Sequence, residues 1–102
     1  MSAAILAPRA RREMLDAARW IAKDNPIAAT AFRDAVGAAA QRIGARPQIG
    51  AGRPHLLAEP FRFWRVAGFP YVLVYNAERD PPEIVAIIHT ARDLPPLLRD
   101  VG

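Results

Sequence analysis

Residues 23–29 read KDNPIAA, and the corner they make decides the fold. Asn25 suits the capping position ahead of a helix, and Pro26 suits its first turn, where a missing amide hydrogen costs nothing. A helix therefore starts at residue 26. Upstream, over residues 9–23, Ala10, Met14, Ala17, Ala18 and Ile21 line one helical face, with Arg12, Asp16, Arg19 and Lys23 on the other side. Downstream, residues 26–43 repeat the pattern with Ala28, Phe32, Ala35, Val36, Ala39 and Ile43, and Gly44 is the expected stop. Two apolar stripes joined by so short a link fold back as an antiparallel helical hairpin.

Outward from the hairpin, AAILA at residues 3–7 reads as a short strand ended by Pro8. Residues 45–60 turn to Gly, Pro, Arg and His without a helical or strand period, and a loop of that length is usually functional or mobile. FRFWRV (61–66), YVLVYN (71–76) and EIVAIIH (83–89) are aromatic and β-branched segments separated by AGFP and AERDPP, which predicts a meander of three antiparallel strands. In the last of them Ile84 and Ile88 alternate with Val85 and Ile87. The last two strands are apolar on both faces, so one face takes the helical hairpin and the other is covered by the tail, the first strand's neighbours or a partner. The tail, RDLPPLLRDVG at 92–102, has prolines that bar a helix through Pro95 and Pro96, while Leu94, Leu97 and Leu98 are apolar enough to dock on the sheet. The expected fold class is α+β in one domain over residues 1–102: an N-terminal strand, then a helical hairpin packed on an antiparallel sheet.

At 102 residues, 52% hydrophobic and 24% charged, the chain is a globular domain too small for a second lobe to close over a substrate. The absence of cysteine excludes disulfides, thiol nucleophiles and cysteine-ligated metals, and two histidines offer little for a metal site. No cofactor is expected. The net charge of +4 is unevenly placed, with nine basic and four acidic groups in residues 1–54 against five and six in residues 55–102. A basic N-terminal half allows an acidic protein partner or nucleic acid, although an Arg, Ala, Pro and Gly excess is also what a GC-rich coding sequence produces. The first apolar stretch, AAILAP, runs straight into RARRE, far short of a signal-peptide core or of the roughly 20 residues that span a bilayer. A cytoplasmic protein without a membrane association is expected.

Three constellations carry possible chemistry. His89, Arg92 and Asp93 in HTARDL have the residue types of an acid-base site, yet an Arg-Asp pair beside a strand end more commonly anchors a turn. FRFWRV puts Arg62 and Trp64 on one strand face and Phe63 and Arg65 on the other. That pattern suits RNA stacking and also a half-buried strand with arginine stems laid over apolar neighbours. The helical hairpin is a poor DNA-reading unit, because the second helix exposes Thr30, Arg33, Asp34, Gly37 and Gln41. Trp20, at the edge of the first helix's apolar stripe, is either core or an anchor for a partner.

In order and spacing, LAPRARREMLDAARWIA with DNPIAA, RPQIGAGRP, FRFWRVAGFPYVLVYN and EIVAIIHTARDL together resemble the ParE branch of the RelE/ParE toxin superfamily. The resemblance covers almost the whole chain. It implies the toxin half of a type II toxin-antitoxin pair that poisons DNA gyrase by binding, catalyses no reaction, and is held in a hetero-oligomer by a ParD-like antitoxin whose ribbon-helix-helix part, rather than the toxin, binds operator DNA. An acidic, amphipathic antitoxin segment would then bury anchors on Trp20, Phe63, Trp64 and Val66 while its carboxylates meet Arg12, Arg19 or Arg62. Leu94, Leu97 and Leu98 would face the target, with Arg92 and Asp93 fixing the tail. The RelE branch instead cleaves mRNA at the ribosome with basic side chains on the sheet and a tyrosine near the C-terminus. Here no tyrosine follows His89 and no lysine follows position 23, but Tyr71 and Tyr75 lie on the middle strand.

Overall fold

The computed structural model describes residues 2–101. In chain order these form β1 (Ile5–Leu6), α1 (Pro8–Asp24), α2 (Pro26–Ala45), β2 (Phe61–Arg65), β3 (Tyr71–Asn76), β4 (Glu83–His89) and a single turn, α3 (Leu94–Leu97). The four strands make one sheet in the order β1-β4-β3-β2. β2, β3 and β4 are the expected antiparallel meander, and β1 adds to β4 in parallel, making the sheet mixed. The class is α+β, as the sequence predicts.

One residue turns the hairpin. Asn25 donates its amide to the Ile21 carbonyl at 2.9 Å, ending α1, and its side-chain oxygen accepts from the Ala28 amide at 3.1 Å, starting α2. Along α2 the buried stripe is Ala29, Phe32, Val36, Ala39, Ala40 and Ile43, with the expected Ala28 and Ala35 only half-buried at its edge. Gly44 does not stop the helix, which runs on to Ala45. Its small size serves another purpose: a Cβ there would lie 2.8 Å from the Ala3 Cα, so only glycine lets the N-terminal segment cross α2. The Ala4 amide donates to the Ala40 carbonyl at 2.8 Å, which is why the expected strand over 3–7 shortens to two residues.

Two apolar clusters lie on the two faces of the sheet. Phe32, Val36 and Ile43 of the hairpin pack with Leu73, Tyr75, Ile84 and Ile87. On the far face Phe63, Val74, Ala86 and Ile88 are covered by Leu98, with Leu56 and Leu57 of the loop and Leu94, Leu97 and Val101 of the tail around them. This corrects the alternation expected for β4: Ile84 shares a face with Ile87, and Ile88 faces the tail. The cause is a bulge. Val74 pairs with Ala86 and Tyr75 with Ile84, so Val85 is an extra residue and the parity of side chains changes there.

The tail also departs from expectation. Pro95 and Pro96 sit inside α3, because the first turn of a helix has amides with no intrahelical acceptor, and a proline there forfeits nothing. Among the described residues no helix is long and apolar enough to cross a membrane.

Candidate functional site

The surfaces a partner can reach follow from which face each strand and helix turns outward. On β2 the pleat sends Phe63 to the tail side, where it is 3% exposed, and Trp64 to the helical side, half-buried against the main core. Arg62 turns inward: Nη1 donates to the Gly50 carbonyl at 2.9 Å and Nη2 lies 3.6 Å from Glu59. Phe63, Val66 and Arg62 are therefore spent on the fold, which corrects their expected place on an open sheet face.

The tail is not fixed by Arg92 and Asp93. Both are exposed, and Asp93 precedes α3 without a side-chain cap bond. Arg9 of α1 holds the tail instead, donating to the Leu97 carbonyl at 2.6 Å and standing 3.6 Å from Asp100. Leu98 is buried, and Leu94 and Leu97 are half-buried beside it. His89 and Arg92 line a cleft of about 220 Å³ with Glu13, Asp16, Trp20 and Tyr71. Asp93 is not among its walls, so the three residues of the suspected acid-base cluster do not converge. His89 shapes the turn, its Nδ1 accepting from the Ala91 amide at 3.0 Å and its ring set edge-on to Tyr71 at 5.0 Å.

The helical hairpin offers the broader surface. Trp20 is 67% exposed, with the Lys23 ammonium 5.1 Å from its ring centre. Arg12 and Arg19 lie exposed on the same helix, and Arg19 reaches Asp16 at 3.4 Å. On the other flank of α1 runs a groove of about 570 Å³ between both helices and β1, floored by Ile5, Met14, Val36 and Gly37 and lined on its polar side by Arg11, Arg33, Asp34 and Thr30. A Cβ on Gly37 would meet nothing within 4 Å, so the missing side chain deepens the floor. Sequence reading passes over this groove; its signal is the run of small residues in α2 facing an exposed Ile5.

The long loop is pinned rather than free. The Tyr75 hydroxyl donates to the Pro47 carbonyl at 2.7 Å and accepts from the Gly50 amide at 2.8 Å, and Ala51 bridges to Phe63. Burial pushes the Tyr75 phenol above its ordinary range, outweighing the Gly50 bond and the Arg62 charge that pull it down; burial alone raises Tyr71. The folded protein thus keeps its tyrosine protons where the unfolded chain releases them. Stability from this source is whole below the ordinary phenol value of about 10 and falls as pH rises through the folded values. A pH series of thermal melts is expected to show no tyrosine-linked loss up to about pH 9.5 and a decline above it, and phenolate absorbance should appear together with unfolding. Free ionisation of both phenols in the folded state near pH 10 is the contrary result.

Among the described residues no group of three or more His, Asp or Glu side chains is placed to hold a metal. No curated protein matches the sequence. Residues 4–94 match the family described as ParE toxin of type II toxin-antitoxin system, parDE. The matched span runs from the crossing at Ala4, through the helical hairpin and the meander, to the first residue of α3, and on that match the chain belongs to the ParE toxin family, the toxin half of a type II toxin-antitoxin pair whose partner is an antitoxin.

Proposed function

We propose that the chain inhibits DNA gyrase by binding it with the DNA cut and unsealed, without catalysing a reaction, and that a ParD-like antitoxin neutralises it. The observation that carries the binding mode over RNA cleavage is the state of the two tyrosines. Tyr75 is fully buried and its hydroxyl is bonded on both sides, so its phenol is out of reach of a ribose, and Tyr71, 7% exposed, shows only an edge in the wall of the cleft beside His89. Purified protein is expected to stop gyrase from supercoiling plasmid and to accumulate cleaved DNA while ribosome-bound mRNA stays intact. Codon-specific cutting in a translation reaction, with gyrase unaffected, would reverse the assignment to the RNA-cleaving reading.

The antitoxin segment that fits is acidic and amphipathic. Its apolar side lies in the groove over Ile5, Met14 and Gly37, its carboxylates meet Arg11 and Arg33, and the chain continues across Arg12 and Arg19 to Trp20. The net positive balance of residues 1–54 supports this choice. A Cβ at Gly37 meets nothing within 4 Å, so Gly37→Leu can build out into the groove, and helix propensity favours it. It should weaken antitoxin binding at least about tenfold, as should Trp20→Ala, because buried anchors dominate interface energies. Free toxin carrying Gly37→Leu should inhibit gyrase normally. Unchanged antitoxin affinity for both variants contradicts this placement.

A further inference from the structure

We infer that Arg9 and Glu13 are positioning residues that hold the C-terminal segment against the sheet in the pose presented to the toxin's target. The inference rests on the proposed role of the tail. Its basis is a continuous polar relay. β1 reaches only as far as Ile84 along the edge of β4. Farther along that edge, the Ile87 amide donates to Glu13 Oε1 at 3.0 Å. The same carboxylate oxygen lies 3.3 Å from Arg9 Nε, and Arg9 Nη2 donates to the Leu97 carbonyl across 88 positions of sequence. Both side chains are about three-quarters covered. A helix side chain thus takes the place of the missing strand partner and at the same time aims a guanidinium at the end of α3.

Helix stability does not explain this arginine. Arg9 stands in the first turn of α1, a turn with no acidic residue, where the helix dipole disfavours a cation. Its three contacts all turn it away from α1's own carbonyls, and two of them belong to the tail. The apolar part of the tail's hold is Leu98 with its half-buried neighbours. Leucines give adhesion without direction, and a guanidinium N–H aimed at one carbonyl, with its neighbours held by Glu13 and Asp100, gives direction. The Asp100 contact is exposed on the carboxylate side, at 85%, and contributes little.

The test uses the full chain. Hydrogen exchange is read at the Leu98 and Val101 amides, which bond to Leu94 and Leu98, for Arg9→Met, Arg9→Lys, Glu13→Gln and Asp100→Ala. Loss of a charged hydrogen bond predicts about tenfold faster exchange in Arg9→Met, with amides of α2 and β3 unmoved. Gyrase inhibition should then need about tenfold more protein, and antitoxin affinity should hold. Arg9→Lys keeps the charge without the guanidinium, and Glu13→Gln keeps an oxygen for Ile87 without the ion pair, so each should fall between wild type and Arg9→Met. Asp100→Ala should match wild type. Unchanged tail exchange in Arg9→Met overturns the latch. Faster tail exchange with undiminished inhibition overturns the positioning role. Exchange is read with no gyrase present, so a toxin that leaves gyrase untouched sinks the functional reading while this arm still decides the latch.

Discussion

A chain ended after Asp93 is expected to lose gyrase inhibition altogether. The segment it lacks is the one with two half-buried leucines on a short helical turn, held to the body by one guanidinium and one buried leucine. Such a segment meets a partner with little rearrangement. Its removal also strips the cover from Phe63, Val74, Ala86 and Ile88, so the truncated protein will be less stable by several kcal/mol, on the scale of about 1.5–3 kcal/mol for each fully buried leucine. Antitoxin binding through the helical hairpin should survive, because the groove shares no residue with the tail. His89→Ala supplies the contrast. It loosens one turn and removes an edge-on contact with Tyr71, and it should leave inhibition nearly intact. Supercoiling inhibition, antitoxin affinity and a circular-dichroism melt on both variants separate the cases. A fully inhibitory truncation, or a folded but inactive His89→Ala protein, would return the strand end at His89 to consideration as a catalytic site.

The second large effect is on stability. Tyr75→Phe removes one oxygen and orphans two backbone groups, the Pro47 carbonyl and the Gly50 amide, in a region where Gly50 itself is buried. Leaving a fully buried donor or acceptor without a partner costs about 1–3 kcal/mol; the Gly50 amide is buried and the Pro47 carbonyl only partly so, so roughly 2–4 kcal/mol is expected in total. For a domain of this size that is a fall in Tm on the order of 10–20 °C. The loss should be concentrated in the loop, with exchange at the Gly50 and Ala51 amides rising first. The substitution should also remove the Tyr75 share of the decline in stability at high pH and leave the Tyr71 share. A melt within about 0.5 kcal/mol of wild type means that the hydroxyl is not what holds the loop.

The parts of the fold written in local chemistry were legible. Asn25 and Pro26 announce the helical corner in two residues, and the three aromatic and β-branched runs announce the meander. What escaped reading depends on register or on distance. The bulge at Val85 leaves no local mark, since its neighbours are apolar on both sides, yet it reverses which of Ile87 and Ile88 faces the helices. Gly44 looks like a helix stop until the crossing of Ala3 is seen. Arg62 and Phe63 read as surface chemistry because the sequence does not show that residues 50–59 fold back onto them. Arg9 was one basic residue among many, and only its reach to Leu97 sets it apart. The tail's leucines were legible as a docking element because a cluster of apolar residues near prolines has little other use.

The two-residue strand β1 has its pairing partner in β4, so the first strand made during synthesis can be seated only after residue 84 has emerged. The helical hairpin is local and can form as soon as its own residues are free, whereas the sheet closes by joining the two ends of the chain. A ribosome stalled within the meander therefore carries a helical hairpin and no finished sheet, and the tail has no face to dock on. The face on which the tail docks is thus complete only once β4 has left the ribosome.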